Sequence, residues 1–376
     1  MRDVRRANRA SLLTDLFHGG RQSRQQLGDT TALSQASVSN LVGEMIEEGL
    51  VEEAGLVGSD GGRPRALLRV APGFGYVVGA DVGETRVLVE LYDLAMSRLG
   101  VVAYPLGDPA DHQGAASLLL QGLAAVTAEA GVEVGQVLGY GVGVPGVVDR
   151  GGVVYSQTTG WDGVPMAEAL GAATEVPVFV ANGAQTVGQA EMWFGAGRGA
   201  RHAVVVLIGR GVGAAVMNGG EGTAVEWGHT PLVYDGAPCR CGARGCLEAY
   251  MGGDAVNARL GVDDEPRAMS RVLSGPVDSA AVAETVGYLG AGIAGLVNLF
   301  GPDRIVLGGP VGAAVGERFL PEIRQATARY ALRHPFSRTR IDVCQLGPDA
   351  VAMGAATVPI ANLLANGGMT AATART

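Results

Sequence analysis

Three of the four cysteines fall within eight residues, Cys239-Arg240-Cys241-Gly242-Ala243-Arg244-Gly245-Cys246, and His229 lies ten residues upstream of the first. No other feature narrows the possible folds as much, because a Gly-rich loop that gathers three thiols and an imidazole must wrap around a common point. Three thiolates and one imidazole complete a tetrahedral Zn2+ site of the closed, structural kind, with His229, Cys239, Cys241 and Cys246 as ligands. The N-terminus opens Met1-Arg2-Asp3-Val4-Arg5-Arg6, without the apolar stretch of a secretory leader, and no run of about 18 apolar residues occurs. A cytoplasmic chain with no membrane partner is therefore expected, and there clustered cysteines argue for metal over disulfides. Cys344 stands apart and reads as a small buried hydrophobe.

A metal in this loop also fixes neighbours. Glu226 lies three residues before His229 and Glu248 two after Cys246, so one ion would pin two carboxylates at one location. Carboxylates held beside a cleft suit hydrogen bonding to sugar hydroxyls, since each accepts two or more bonds. Free in solvent, the same residues would be ordinary surface charge.

The N-terminal 72 residues have a different texture. Leu12, Leu13, Leu16 and Phe17 recur at helical spacing and stop at Gly19-Gly20, which predicts a helix of about ten residues. Ser23-Arg24-Gln25-Gln26 has the form of a capping box opening a short helix that ends near Thr30-Thr31. A longer helix follows, capped by Ser34, with Val38, Leu41, Val42, Met45 and Ile46 on one face and Gly49 at its end. A short helix, a turn and a longer helix make a helix-turn-helix, in which Gln35, Ala36, Ser39 and Asn40 would face base edges in the major groove. Gln and Asn can pair with adenine, and a methyl group can meet thymine. Helices alone also allow a plain three-helix bundle. The next segment favours DNA: residues 50–54 and 66–70 read as two strands around a Gly-rich loop ending Gly62-Arg63-Pro64-Arg65. A wing of that kind can lay Arg63 and Arg65 along a narrow minor groove.

The formal charge of -9 looks wrong for a nucleic-acid binder, but it is unevenly placed. Residues 1–75 hold nine Arg and nine acids and are neutral, so the rest of the chain carries the whole excess of acid. Six of those nine Arg precede Gln25, which would allow one strongly positive face. All 28 basic residues are Arg, so no catalytic Lys exists.

Beyond Pro72-Gly73, β-branched strands alternate with Gly-rich turns and Ala/Leu-rich helices, as in Tyr76-Val77-Val78-Gly79-Ala80-Asp81. Two similar stretches start near Gly75 and Ala200, each a strand running into a Gly turn, and imply two related lobes around a cleft. The expected domains are 1–72, a winged helix-turn-helix; 73–195, a first lobe; and 196–376, a second lobe with the metal loop, whose C-terminal helix packs back on the first. The small, polar residues 362–376 are expected to be disordered.

Glu226-Trp227-Gly228-His229 and Cys239-x-Cys241-Gly242-x-x-Gly245-Cys246-x-Glu248 resemble the adjacent E-x-G-H and C-x-C-G-x-x-G-C-x-E signatures of the ROK (repressor, open reading frame, kinase) family. The N-terminal pattern resembles the winged head of that family's repressors, so the likeness runs over nearly the whole chain. It implies an α/β fold, with the winged head followed by a two-lobed, actin/hexokinase-like (ribonuclease H-like) sugar-kinase body. It also implies that Asn182, Glu226, His229 and Glu248 contact a sugar. Gly143-Val144-Pro145-Gly146 and the segment 298–309 match further family turns.

Two departures bear on activity. Kinase members of the family place Asn-Asp where this chain has Asn182-Gly183, and glycine cannot take the sugar's proton; losing a general base costs roughly 10² to 10⁴ in rate. Asp81-Val82-Gly83-Glu84-Thr85-Arg86 stands where kinases resemble D-x-G-G-T-K, so Glu84 puts a negative charge where polyphosphate should approach. The resemblance thus implies a regulator without catalytic residues or ATP. A homodimer or homotetramer would bind a double-stranded DNA operator under control of a small sugar. An active kinase carrying a DNA-binding head is the alternative, and a protein acting through partners alone is a third.

Overall fold

The computed structural model describes residues 2–57, 64–261 and 279–369. The head begins with α1 (Arg2–Gly19), β1 (Gln22–Ser23), α2 (Arg24–Thr31) and α3 (Gln35–Glu47), then β2 (Val51–Val57) and β3 (Arg65–Val70). Ser23 closes the capping box on Gln26, and Ser34 caps α3 by accepting from the Ser37 N–H at 3.2 Å. Ala32, at φ 57°, makes the left-handed turn between α2 and α3. Leu27, Val38, Leu41, Val42 and Met45 are buried together with Leu12, Leu13 and Leu16 of α1. β3 pairs antiparallel with both β1 and β2, as the wing requires, while residues 58–63, including Arg63, lie outside the described residues.

α1 is 18 residues long, well beyond its apolar stretch. Ion pairs rather than hydrophobic spacing carry its first turns: Arg5 pairs with Glu44, and Arg9 donates to both oxygens of Glu48 at 2.8 and 2.5 Å. These contacts also correct the expected positive face, because Arg5 and Arg9 are turned onto acids of α3.

The body holds two five-stranded sheets. The first is built from β4 (Tyr76–Val82), β5 (Arg86–Asp93), β6 (Arg98–Pro105), β7 (Val137–Val144) and, after the small strands β8 (Val147–Val148), β9 (Val154–Ser156) and β10 (Trp161–Val164), β11 (Val178–Asn182). Between them run α4 (His112–Ala130) and α5 (Met166–Gly171), and α6 (Gly183–Phe194) follows β11. The second sheet is built from β12 (His202–Ile208), β13 (Val212–Asn218), β14 (Glu221–Val225), β15 (Arg304–Gly308) and β16 (Arg340–Val343). Its helices are α7 (Glu248–Met251), α8 (Gly253–Leu260), α9 (Ser279–Phe300), α10 (Gly309–Tyr330) and α11 (Arg333–Arg338), and α12 (Ala350–Ala365) comes last.

Both sheets use one plan. Three strands form an antiparallel meander, and two more are added in parallel on the other side of the first, giving β6-β5-β4-β7-β11 and β14-β13-β12-β15-β16. Repetition of this order is the two-lobed, kinase-like architecture. α4 covers one face of the first sheet, α9 and α10 cover the outer side of the second, and α6 and α12 pack on each other between them. α12 lies on β4 and β7 although it follows the second sheet in sequence. That approach needs glycine: a Cβ on Gly141 would overlap the Ala355 carbonyl, and one on Gly354 would overlap the Thr186 carbonyl of α6.

Residues 362–369 are packed against the head, contrary to the expected disorder, while 370–376 lie outside the described residues. α12 runs to Ala365, and Arg9, 8% exposed, donates from Nε to the Gly367 carbonyl at 2.9 Å. Ile360, Leu363 and Leu364 of α12 share one core with Leu12, Leu13 and Leu50 of the head and with Val77, Tyr92 and Leu94 of the first sheet. Among the described residues one helix, α9, is long and apolar enough to cross a membrane, but Leu289, Ile293, Leu296 and Val297 on it are buried in the second-lobe core.

Candidate ligand and metal site

The metal loop closes as its spacing predicts. The Nδ1, or Nε2, and Sγ atoms of His229, Cys239, Cys241 and Cys246 all lie within 4.8 Å of one another. Cys241 and Cys246 are 3.8 Å apart, and Cys239 Sγ is 3.7 Å from His229 Nδ1. A tetrahedral ion with metal–sulfur bonds of about 2.3 Å has edges of roughly 3.8 Å, so the donor set fits a divalent ion such as zinc. His229 turns its other nitrogen, Nε2, toward Glu226 at 4.0 Å, the orientation that a carboxylate partner gives a metal-bound imidazole. Backbone geometry supports the loop: Gly245, at φ 76°, sits where a Cβ would overlap the Val233 carbonyl, and Cys239 N–H donates to the Ala243 carbonyl at 2.9 Å.

Glu248 starts α7 with its side chain only 5% exposed. Its Oε2 accepts from Val212 N–H at 2.9 Å, and its Oε1 lies 3.9 Å from Cys239 Sγ. Glu226 remains half exposed. The two carboxylates therefore stand on either side of the cysteine cluster, one buried and one open. Asn182 is partly committed within the fold. Its Oδ1 accepts from Ala184 and Gln185 N–H as the cap of α6, and its Nδ2 donates to the Gly146 carbonyl at 2.7 Å. One N–H of that amide is left for a ligand. At Gly183 an added Cβ would meet Val351, Leu207 and the Val144 carbonyl at ordinary distances, so the position faces the junction of both lobes.

Several features were not legible in the sequence. Thr159 is 5% exposed, and its Oγ1 has no hydrogen-bond partner among the described residues. It lies three residues after Ser156, in the turn between β9 and β10. Asp81, at the end of β4, has its carboxyl pushed up to about 6 by burial, against the opposing pull of Arg86. Arg240, between two cysteines, points away from them and donates to Glu84 Oε2 at 2.8 Å. Alternation within C-x-C was the available signal for that orientation.

On the head, Gln35, Ala36, Ser39 and Asn40 are exposed along the first turns of α3, and Arg65 is exposed at the start of β3. Two helices join these surfaces to the cleft. α6 is capped by Asn182 and carries in its last turn Trp193, whose ring lies 4.8 Å from that of His18 and 5.5 Å from that of Phe17 on α1. α12 is preceded by Asp349, paired with Arg86 at 3.2 Å, and ends in the core of the head.

Comparison with known proteins agrees with this arrangement. The ROK family model matches residues 77–361. A xylose repressor from Caldicellulosiruptor bescii is 26% identical, with 96% of this chain and 97% of that protein covered. A glucokinase from Halalkalibacterium halodurans is 29% identical over 74% of this chain and 93% of its own length. The crystal structure of a ROK family transcriptional regulator, a homolog of the E. coli MLC protein, superposes with a TM-score of 0.80 at 22% identity, covering 97% of this chain and 98% of the other.

Proposed function

Because this chain belongs to the ROK family, we propose that it is a sugar-responsive transcriptional repressor, acting in the cytoplasm as a dimer or tetramer on an operator. The observation that carries the reading is full-length similarity to a repressor, head included, against similarity to a kinase that spans three quarters of the chain. Residues 1–72 would read DNA, with Gln35, Ala36, Ser39 and Asn40 at base edges and Arg63 and Arg65 at the backbone or minor groove. Lobes 73–195 and 196–376 would hold a sugar between Asn182, Glu226, His229 and Glu248.

Zinc bound by His229, Cys239, Cys241 and Cys246 has a structural role in this reading. It holds Glu248 and Glu226 on the second lobe. A sugar drawing these carboxylates toward Asn182 shifts the lobes, and α6 and α12 carry the change to α1. The energetic requirement is that the ligand binds one lobe arrangement better than the other. In this reading phosphotransfer is lost twice over, because Gly183 offers no base and Glu84 stands where polyphosphate would approach; an added Cβ at 183 meets its neighbours only at ordinary distances, so Gly183→Asp should fold and, with Glu84 still in place, should not restore activity.

Operator selection from a random DNA pool at fixed salt, repeated with a panel of sugars, tests the proposal. Enrichment of an inverted repeat that one sugar releases supports it. Failure to enrich any sequence, together with sugar-dependent ATP consumption, would put the kinase reading in its place.

A further inference from the structure

Two guanidiniums of the second lobe converge on one carboxylate of the first. Arg240 Nη1 donates to Glu84 Oε2 at 2.8 Å, and Arg210 Nε, from the turn between β12 and β13, lies 3.5 Å from the same oxygen. Acids of the arginines' own lobe engage them as well: Arg240 Nη2 is 3.4 Å from Glu248 Oε1, and Arg210 gives its Nε–H to Asp254 Oδ2 at 3.2 Å, which leaves its contact with Glu84 an ion pair without a hydrogen bond. The side chain of Glu84 is 15% exposed, so the meeting point is largely screened from water. Gly211 opens the space around it, since a Cβ there would stand 3.3 Å from Glu248, 3.5 Å from Arg240 and 3.8 Å from Glu84.

Paired guanidiniums aimed at one point, held in place by second partners, are how proteins recognise phosphate and carboxylate oxygens. We propose that Arg210 and Arg240 form an oxyanion site for phosphate-class ligands, and that Glu84 is its built-in occupant, supplied across the cleft from the other lobe. The charge supports an exchange. Two arginines and three acids (Glu84, Glu248, Asp254) leave the cluster one unit negative. Removing Glu84 makes it neutral, and one oxygen of a phosphate group can then take the place of the carboxylate oxygen between the two guanidiniums.

The arrangement does two things at once. It joins the lobes at the metal loop, because Arg240 is fixed between Cys239 and Cys241, and it denies that end of the cleft to phosphate while the lobes stay at this separation. This inference goes beyond the repressor reading and does not depend on it, since it concerns anion binding and needs neither a sugar nor DNA.

The test measures binding of inorganic tripolyphosphate to the full-length, metal-loaded protein by titration calorimetry and thermal shift. Wild type, Glu84→Gln, Glu84→Ala, and Glu84→Ala combined with Arg240→Ala are compared. Wild type should show no saturable binding at millimolar ligand. Glu84→Ala should bind at least about tenfold more tightly, with affinity falling as salt rises, because one competing charge-assisted partner is gone. Glu84→Gln should fall between, and the double variant should lose the gain. Circular dichroism establishes that each variant is folded. Equal binding by wild type and Glu84→Ala, no binding by a folded Glu84→Ala, or binding that survives Arg240→Ala would each overturn the proposal.

Discussion

The two five-stranded sheets repeat one strand order, yet they are anchored to different things. The first sheet shares a continuous core with the DNA-reading head: Val77, Tyr92 and Leu94 pack with Leu12, Leu13 and Leu50, and α12 passes through both. The second sheet closes its own core around α9 and α10 and carries the metal loop, with Trp227 and Leu247 of that region among its buried residues. In the proposed mechanism the same topology therefore serves as a base in one lobe and as a movable jaw in the other. Helix α6 lies between them: it begins at Asn182 in the first lobe, packs Ala184 and Val187 against Val205, Met217 and Val306 of the second sheet, and ends on α1. A ligand that repositions the jaw acts on α6 directly and on the head through it.

The sharpest way to separate the lobes is to remove the metal loop's anchor. Cys241→Ser should lower the melting temperature by about 10 °C, a loss on the order of 5 kcal/mol, because a structural metal contributes folding energy that three donors hold poorly. Hydrogen exchange should accelerate in β13 and α7 and stay slow in the head. Acceleration in α1 and α3 of the same size would mean that the lobes do not unfold separately.

The complementary change is at the base. Leu363→Ala empties space in the core shared by the head and the first lobe and should cost about 2–4 kcal/mol in urea denaturation. It should also weaken the release of operator by ligand while leaving ligand affinity intact. If release is unaffected, α12 is not part of the connection. Asn40→Ala touches neither lobe. It should cost about 1–3 kcal/mol in operator binding, measured by fluorescence anisotropy, and relax preference at a single base pair. A uniform loss across sequences would assign Asn40 to the phosphate backbone.

Acid titration gives the smallest and most local contrast. Burial, aided by Arg198, holds His18 below its ordinary value of 6.5, so the folded joint keeps a neutral imidazole that the unfolded chain protonates. That contribution to stability is present above about pH 6.5 and is lost as pH falls below it. Asp81 acts in the opposite sense: its folded value is raised from 3.8 to about 6, so it favours the folded state below pH 3.8 and loses that advantage as pH rises to about 6. His18→Gln should flatten the lower side of the stability profile near pH 6, and Asp81→Asn should flatten the fall between pH 4 and 6. Unchanged profiles in calorimetric melts would place both groups in water.

Much of this site was legible in the residues themselves. The metal ligands follow from spacing, because a loop of eight residues has few ways to avoid bringing its cysteines together. Capping by Ser23 and Ser34 follows from local hydrogen-bond chemistry, which acts over three residues and does not wait for a tertiary partner. The role of Asn182 was harder to see. A cap and a sugar ligand need the same amide, and only the position of the Gly146 carbonyl shows how much of it is spent.

The N-terminal arginines mark the same limit. Along the chain they form a basic run, but Glu44 and Glu48, some 39 residues later, are placed against them by the packing of α1 on α3. The sequence by itself determined what depends on near neighbours: the alternation of strands, the helix caps, the donor set of the metal loop and the head's helix-turn-helix. Tertiary structure alone decided that residues 362–369 belong to the head's core, that α6 spans from cleft to head, and that Glu84 sits between Arg210 and Arg240. Each of those contacts joins segments more than 100 residues apart, and the longest joins Arg9 to Gly367, 358 residues away. Van der Waals contact acts over a few ångströms and exposed charges are screened beyond about 10 Å, so the closure of the fold, not the order of residues, chooses which charges and surfaces meet.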